Sequence, residues 1–260
     1  MLYRRLMTAT LALLMGSAVQ AAAQDCDRYA YACRGAMTPP GVPVRPGPAA
    51  PGTALFPVAP VAPLPDSGFE RRSYGAYGPV SGEPFPIPAV DLGEIDPAFL
   101  RAAVYYPTSE PPGTIIIDPQ SHYLYLVQEG GKAMRYGVGV GRQGFGWSGV
   151  ATVHDKQEWP DWYPPKEMLD RQPEIRRQMS ELQSGIGMHG GPRNPLGARA
   201  LYLWQGNKDT LYRIHGTIEP WTIGKSVSSG CIRMINQDVI DLYQRAPVGA
   251  RVVVLGARVG

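Results

Sequence analysis

The sequence predicts a mainly β domain, a sandwich or barrel with a few short helices, carried behind a Pro-rich N-terminal region. Three observations predict it. From about Gly113 onward, β-branched and aromatic runs of strand length alternate with short Gly or polar turns. The 27 prolines and 31 glycines are unevenly spread, with Pro dense over 34–68, so the folded part is smaller than the 260-residue chain. Helical spacing of apolar residues is confined to short stretches.

Residues 1–24 read as a secretory signal. Arg4 and Arg5 precede an apolar run from Leu6 to Val19, and Ala18 to Gln24 supplies small residues for cleavage. The run is short for a bilayer, so no stable membrane span is expected after cleavage. Ala23-Gln24-Asp25 before Cys26 is not a lipoprotein signature. Loss of Arg4 and Arg5 lowers the net charge of +3 to +1, which leaves no electrostatic case for nucleic acid. Polybasic runs suited to a lipid surface are also missing. Export implies an oxidising compartment. Cys26 and Cys33 are close in sequence, and whether they form a disulfide is left open. Cys231 is then an odd exported thiol, to be read as reactive or, more plainly, as a small buried hydrophobe.

Residues 25–95 are expected to be a Pro/Ala/Gly-rich disordered tether, too poor in apolar surface to offset chain entropy. Residues 96–111 form a lead-in. Asp96 can cap a helix and Pro97 suits its first position, which predicts a helix through Val104, halted by Pro107, Pro111 and Pro112. The folded domain is expected over 112–256. Thr114 to Asp118, His122 to Val127 and Ala133 to Val140 are strands, the last two joined by the turn 129–132. Gly141 to Gly149 is Gly-rich but lacks the strand and helix context of a nucleotide site. Trp159 to Pro165 is an aromatic-proline loop. Asp170 to Gln183 is predicted as a helix, from Ile175, Met179 and Leu182 at helical spacing. A glycine-rich loop fills 185–197. Ala198 to Trp204 and Leu211 to His215 are strands, Asn236 is expected to cap a helix through Arg245, and Arg251 to Leu255 closes as a strand.

The chemistry gathers between Ile214 and Asn236. His215 ends a strand, a rigid place from which to hold a base. Cys231 follows Ser228-Ser229-Gly230. A Cys acts as a nucleophile only as thiolate, so a neighbouring imidazole or polar backbone must favour the anion. The base needs a third group to fix its tautomer, and a carbonyl near Gly216 is the candidate. Gly230 removes bulk beside the thiol, so that backbone N–H groups of Ser229, Gly230 and Cys231 can meet an oxyanion.

His215-Gly216-Thr217 followed by Gly224-Lys225-Ser226-Val227-Ser228-Ser229-Gly230-Cys231-Ile232-Arg233-Met234 resembles the signature of the L,D-transpeptidase catalytic domain (YkuD-type) family. Gly190-Gly191-Pro192, Asn194-Pro195-Leu196-Gly197 and Asn236-Gln237-Asp238-Val239 also match its pattern. The resemblance covers roughly residues 112–256 and implies a β-sandwich-like fold acting on peptidoglycan stem peptides in the periplasm or cell envelope. It implies Cys231 as nucleophile and His215 as base and acid, oriented by the Gly216 carbonyl. It further implies Ser229, Gly230 and Cys231 as the oxyanion hole. Arg233 would buttress the loop or meet a substrate carboxylate, Thr217 and Trp221 are further candidate substrate contacts, and Trp221, Trp159 and Trp162 could line the groove or simply pack. The acyl group of the third stem residue would pass to an amine on another stem or to a Lys of an envelope protein. No cofactor or metal is implied. Many members carry His where Ser229 stands, so His215 is expected to act alone. His189 is the rival base, and a zinc set of His154, His189, His215 and Cys231 has no supporting spacing.

Overall fold

A computed structural model describes residues 75–142, 147–171 and 173–256. The expected signal segment, the tether as far as residue 74, Cys26 and Cys33 lie outside the described residues. Among the described residues no helix is long and apolar enough to cross a membrane.

The strands are β1 (Ala102–Tyr105), β2 (Ile115–Asp118), β3 (Tyr123–Gln128), β4 (Lys132–Gly137), β5 (Val140–Gly141), β6 (Gly149–Glu158), β7 (Ser180–Leu182), β8 (Gly185–Gly187), β9 (Arg199–Gln205), β10 (Lys208–His215), β11 (Ser226–Ser228), β12 (Ile232–Arg233) and β13 (Arg251–Val254). The α-helices are α1 (Lys166–Arg171) and α2 (Asn236–Arg245). Nine strands form one sheet in the order β1-β4-β3-β2-β13-β6-β9-β10-β12. Pairing is antiparallel except between β2 and β13 and between β10 and β12. The expected mainly β class is the observed one.

Alternation along the strands builds the core. Ile115, Ile117, Leu124, Leu126, Met134 and Tyr136 from one flank join Leu201, Leu203, Ile214 and Ile232 from the other in a single cluster. Val239 and Leu242 of α2 belong to it too, so both flanks close over one interior. Ile116, Tyr125 and Val127 point the other way and pack with Val104 and Tyr106. Burial on both faces explains why β2 reads Ile-Ile-Ile instead of alternating.

Four expectations change. The helix predicted from Asp96 to Val104 is a single 3-10 turn, Pro97–Phe99, and then β1. Asp96 does cap that turn, its Oδ1 accepting from the Ala98 N–H at 2.9 Å. The turn stops because Ala102 to Tyr105 pair with Arg135 to Lys132 of β4, and an edge ladder satisfies the backbone there. The helix predicted over 170–183 ends as α1 at Arg171, ahead of a 3-10 turn from Pro173 to Gln178, since Pro disfavours helical backbone before it. Ser180 to Leu182 instead form a hairpin with Gly185 to Gly187. Asn236 does not cap α2: Ile235 occupies that position with no side-chain cap, and Asn236 reaches elsewhere.

The fourth change concerns residues 75–95, assigned above to the tether. They form a strap packed on the domain. Tyr77 is 1% exposed and shares a cluster with Ile95, Leu100, Ile223 and Ile235. Its hydroxyl donates to Asp238 Oδ2 at 3.1 Å and accepts the Arg101 N–H at 2.7 Å. Gln237 Nε2 donates to the carbonyls of Gly78 and Pro88, each at 3.0 Å. Glu83 receives a two-pronged bond from Arg199, at 2.9 and 2.6 Å, and the Trp159 Nε1–H at 2.8 Å. Few apolar residues suffice because a chain rich in Pro has less entropy to lose on ordering. Composition registered the Pro and Gly, while the anchors are single polar side chains.

Tyr77→Ala should destabilise the fold by about 3 kcal/mol or more, since it empties a packed aromatic site and leaves Asp238 without its donor. A urea midpoint that moves with an unchanged slope checks this, and a change within error would exclude the strap as a structural element.

Candidate active site

The site is built at the sheet edge where β10 meets β12. The two strands run parallel, with Ile214 opposite Ile232 and His215 opposite Arg233. The same register sets Cys231, the residue before β12, opposite Arg213. Ile214 and Ile232 face the core, so alternation turns Arg213, His215, Cys231 and Arg233 to the other face. That is why this strand reads Arg-Ile-His and the next reads Cys-Ile-Arg.

His215 is 4% exposed, and its Nδ1 lies 2.6 Å from the Gly216 carbonyl. A carbonyl only accepts, so Nδ1 carries the proton and Nε2 the lone pair. Burial, partly opposed by that carbonyl, brings His215 down from 6.5 to about 4, and the charges of Arg233 and Arg213 push the same way. His215 is therefore neutral at pH 7. Cys231 is a free, half-buried thiol. Burial pushes it up, while a backbone hydrogen bond at Arg213 and the charges of Arg213 and Arg233 pull it back.

The turn before Cys231 is braced by Ser228, whose hydroxyl donates to the Cys231 carbonyl at 2.6 Å and accepts the Gly230 N–H at 3.1 Å. Gly230 has φ 125°, in the region that favours glycine. Of the three backbone N–H groups expected at an oxyanion, that of Gly230 is therefore already engaged within the turn. β11 pairs with β5, and Gly139 exchanges both backbone bonds with Arg233, at 2.9 and 2.8 Å.

Two loops support His215 from behind. Asn236 Oδ1 accepts the Ala198 N–H at 3.0 Å, and its Nδ2 donates to the Thr217 carbonyl at 3.1 Å. A Cβ on Gly216 or Gly197 would stand 2.2 or 2.3 Å from that Asn236 oxygen, so both glycines permit the bridge. Asn194, fully buried, donates to the carbonyls of Pro160, Met188 and His189 and shapes the 188–197 loop.

The other expected residues divide. Arg233 donates to Glu219 Oε2 at 2.8 Å, which ties the strand to the loop after His215. Thr217 is buried, and its hydroxyl accepts the Glu219 N–H at 3.0 Å, which closes a turn after His215. Trp221 is exposed and lines a cavity of about 270 Å³ with Ile218, Pro220, Trp159 and strap residues Pro86 to Asp91. Neither His215 nor Cys231 lines that cavity. The rival base His189 is a surface side chain, 3.4 Å from Asp161 Oδ1. His154 stacks on Trp204, and among the described residues no three His, Cys, Asp or Glu side chains cluster in a way that holds a metal. Arg213 was missed. Its signal is its place two residues before His215 on a strand, which fixes a shared face.

The family model for the L,D-transpeptidase catalytic domain matches residues 112–254. The chain belongs to the L,D-transpeptidase catalytic domain family. It is similar to the probable L,D-transpeptidase ErfK/SrfK of Escherichia coli K12, with 32% identity over 55% of this chain and 44% of that one. It is also similar to the probable L,D-transpeptidase YbiS of the same organism, with 33% identity over 53% of this chain and 43% of that one. The chain thus spans under half the length of these curated relatives. A solved structure of a Brucella melitensis protein, described as a probable carnitine operon oxidoreductase caia, is 52% identical. It covers 64% of this chain and 99% of that chain, with a TM-score of 0.42.

The depressed His215 has a consequence for stability. Between about 6.5 and 4 the unfolded chain binds a proton at this position that the folded chain refuses, so stability falls as pH falls through that window. His215→Gln should remove this component, about 3 kcal/mol in all. Denaturation of wild type and variant at successive pH values checks it, and parallel curves between pH 7 and 4 would contradict a neutral buried imidazole.

Proposed function

We propose that the protein is an exported peptidoglycan L,D-transpeptidase that uses Cys231 as nucleophile and His215 as general base and acid. The observation that carries the reading is the β10–β12 register, which sets the Cys231 turn beside His215 on one face of the sheet. Family membership and the names of the relatives support the reaction class.

His215 Nε2, its lone pair free to accept, takes the Cys231 proton as sulfur attacks the carbonyl of the third stem residue. The C–S bond forms and the tetrahedral oxyanion meets the backbone N–H groups of Ser229 and Cys231. Collapse breaks the peptide bond to the terminal D-residue, whose amine leaves with the proton held by His215. An amine on a second stem, or a Lys of an envelope protein, then attacks the thioester and restores the thiol. His215 starts neutral, so it can accept the thiol proton and gains charge only during the step. Arg233, bound to Glu219, steadies the loop that carries the Gly216 carbonyl. Stem peptides are the donor, and the signal read in residues 1–24 supports a reaction in the periplasm or cell envelope.

Purified mature protein incubated with disaccharide tetrapeptide should give cross-linked dimers and a transient acyl-enzyme mass on Cys231. Cys231→Ala should abolish both, and His215→Ala should lower turnover by about 10²–10⁴-fold. Release of the terminal residue without dimers would assign water as acceptor and overturn the transferase reading. A folded protein that forms no acyl-enzyme would overturn the nucleophile assignment.

A further inference from the structure

β10 is not a regular strand. Its pairing with β9 shifts between Asp209 and Arg213, and Leu211 has φ 65°, a left-handed value that is uncommon for a branched apolar residue. The Leu211 N–H donates to Asp209 Oδ1 at 2.8 Å, and the Tyr212 N–H donates to Thr210 Oγ1 at 3.2 Å. The bulge brings Asp209 and Arg213, four residues apart, into a two-pronged ion pair at 2.8 and 2.7 Å. The guanidinium also lies over the Tyr202 ring, 4.4 Å from its centroid. The Arg213 side chain is 15% exposed. Such a fork and stack hold an arginine in one orientation where a lysine would swing. The register sets this fixed cation opposite Cys231.

We propose that Arg213, gripped by Asp209, is a positioning residue for the Cys231 thiolate, and that Asp209 sets how much of its charge the sulfur meets. The inference rests on the reading of Cys231 as nucleophile. The charged groups around the sulfur come from several elements. Arg213, Asp209 and His215 belong to β10, Arg233 to β12 and Glu219 to the loop between them, while Arg142 after β5 donates to the Val227 carbonyl. Of these, Arg213 and Arg233 favour the anion and Asp209 opposes it. Arg233 is committed to Glu219 across the loop. Arg213 is likewise committed, to Asp209 of its own strand, and the bulge is the device in β10 that fixes this cation and its counter-ion on the strand paired with the Cys231 turn.

The test separates charge from scaffolding by sign. Alkylation of Cys231 by iodoacetamide is followed against pH in the full chain, with the melting temperature of each variant measured alongside. Arg213→Gln should move the thiol titration up by roughly one unit and slow alkylation at pH 7 about tenfold. Asp209→Asn, which keeps the arginine and removes its counter-ion, should move the titration down and speed alkylation. A purely structural pair would respond the same way to both substitutions, because each breaks the same clamp. Shifts of one sign, or none in either variant, would overturn the proposal. A wild-type Cys231 that is not alkylated at all would instead count against the nucleophile reading.

Discussion

Two strands that barely touch hold the site together. β12 is two residues long, and its parallel partner β10 gives it Ile214 opposite Ile232 and His215 opposite Arg233. Those isoleucines are buried in the main core, so hydrophobic burial and not the short ladder fixes the register. A slip of β12 by one residue would turn Cys231 and Arg233 inward and bring Ile232 out. The rest of the architecture protects this register. Gly139 locks Arg233 from one side, Met234 donates to the His215 carbonyl at 2.8 Å, and α2 follows at once with Val239 and Leu242 in the same core.

The resting electrostatics follow from that placement. Burial acts on the two key side chains in the same sense, disfavouring charge on each: the imidazole is lowered and the thiol raised. The arginines on the face break the symmetry, since their charge opposes a protonated His215 and favours an ionised Cys231. A neutral pair is therefore the stable state before substrate, and the arginine charges offset only part of what burial costs an ionised sulfur.

Much of this was legible in the sequence, and the failures have identifiable causes. The strands β2, β3, β4, β9 and β13 followed from β-branched runs and turn glycines, and the pairing of His215 with Gly216 from the need to fix a tautomer. The helix expected over 170–183 is absent because apolar spacing of three and four also arises in a turn followed by a hairpin, and Pro173 breaks helical backbone ahead of it. Local sequence favours Asn236 as a cap, whereas its bridge to Ala198 and Thr217 depends on residues 38 and 19 positions away. Residues 75–95 were read by composition alone. Tyr77 and Glu83 anchor that stretch through partners more than a hundred residues on, contacts that no window of local sequence contains.

The strap also decides where mechanical load enters the molecule. A pull arriving along the chain ahead of residue 75 meets Tyr77 on Asp238, then Gln237 on Gly78 and Pro88, then Glu83 on Arg199. These bonds grip the first turn of α2 and the start of β9, and tension reaches them in chain order, Tyr77 first. Edge strand β1, the element a tether joined at residue 101 would peel, lies downstream of that grip and is shielded from tension. The loops behind His215 are anchored to the same first turn of α2 through Asn236, which joins the strap's grip to the sheet edge that holds His215 and Cys231.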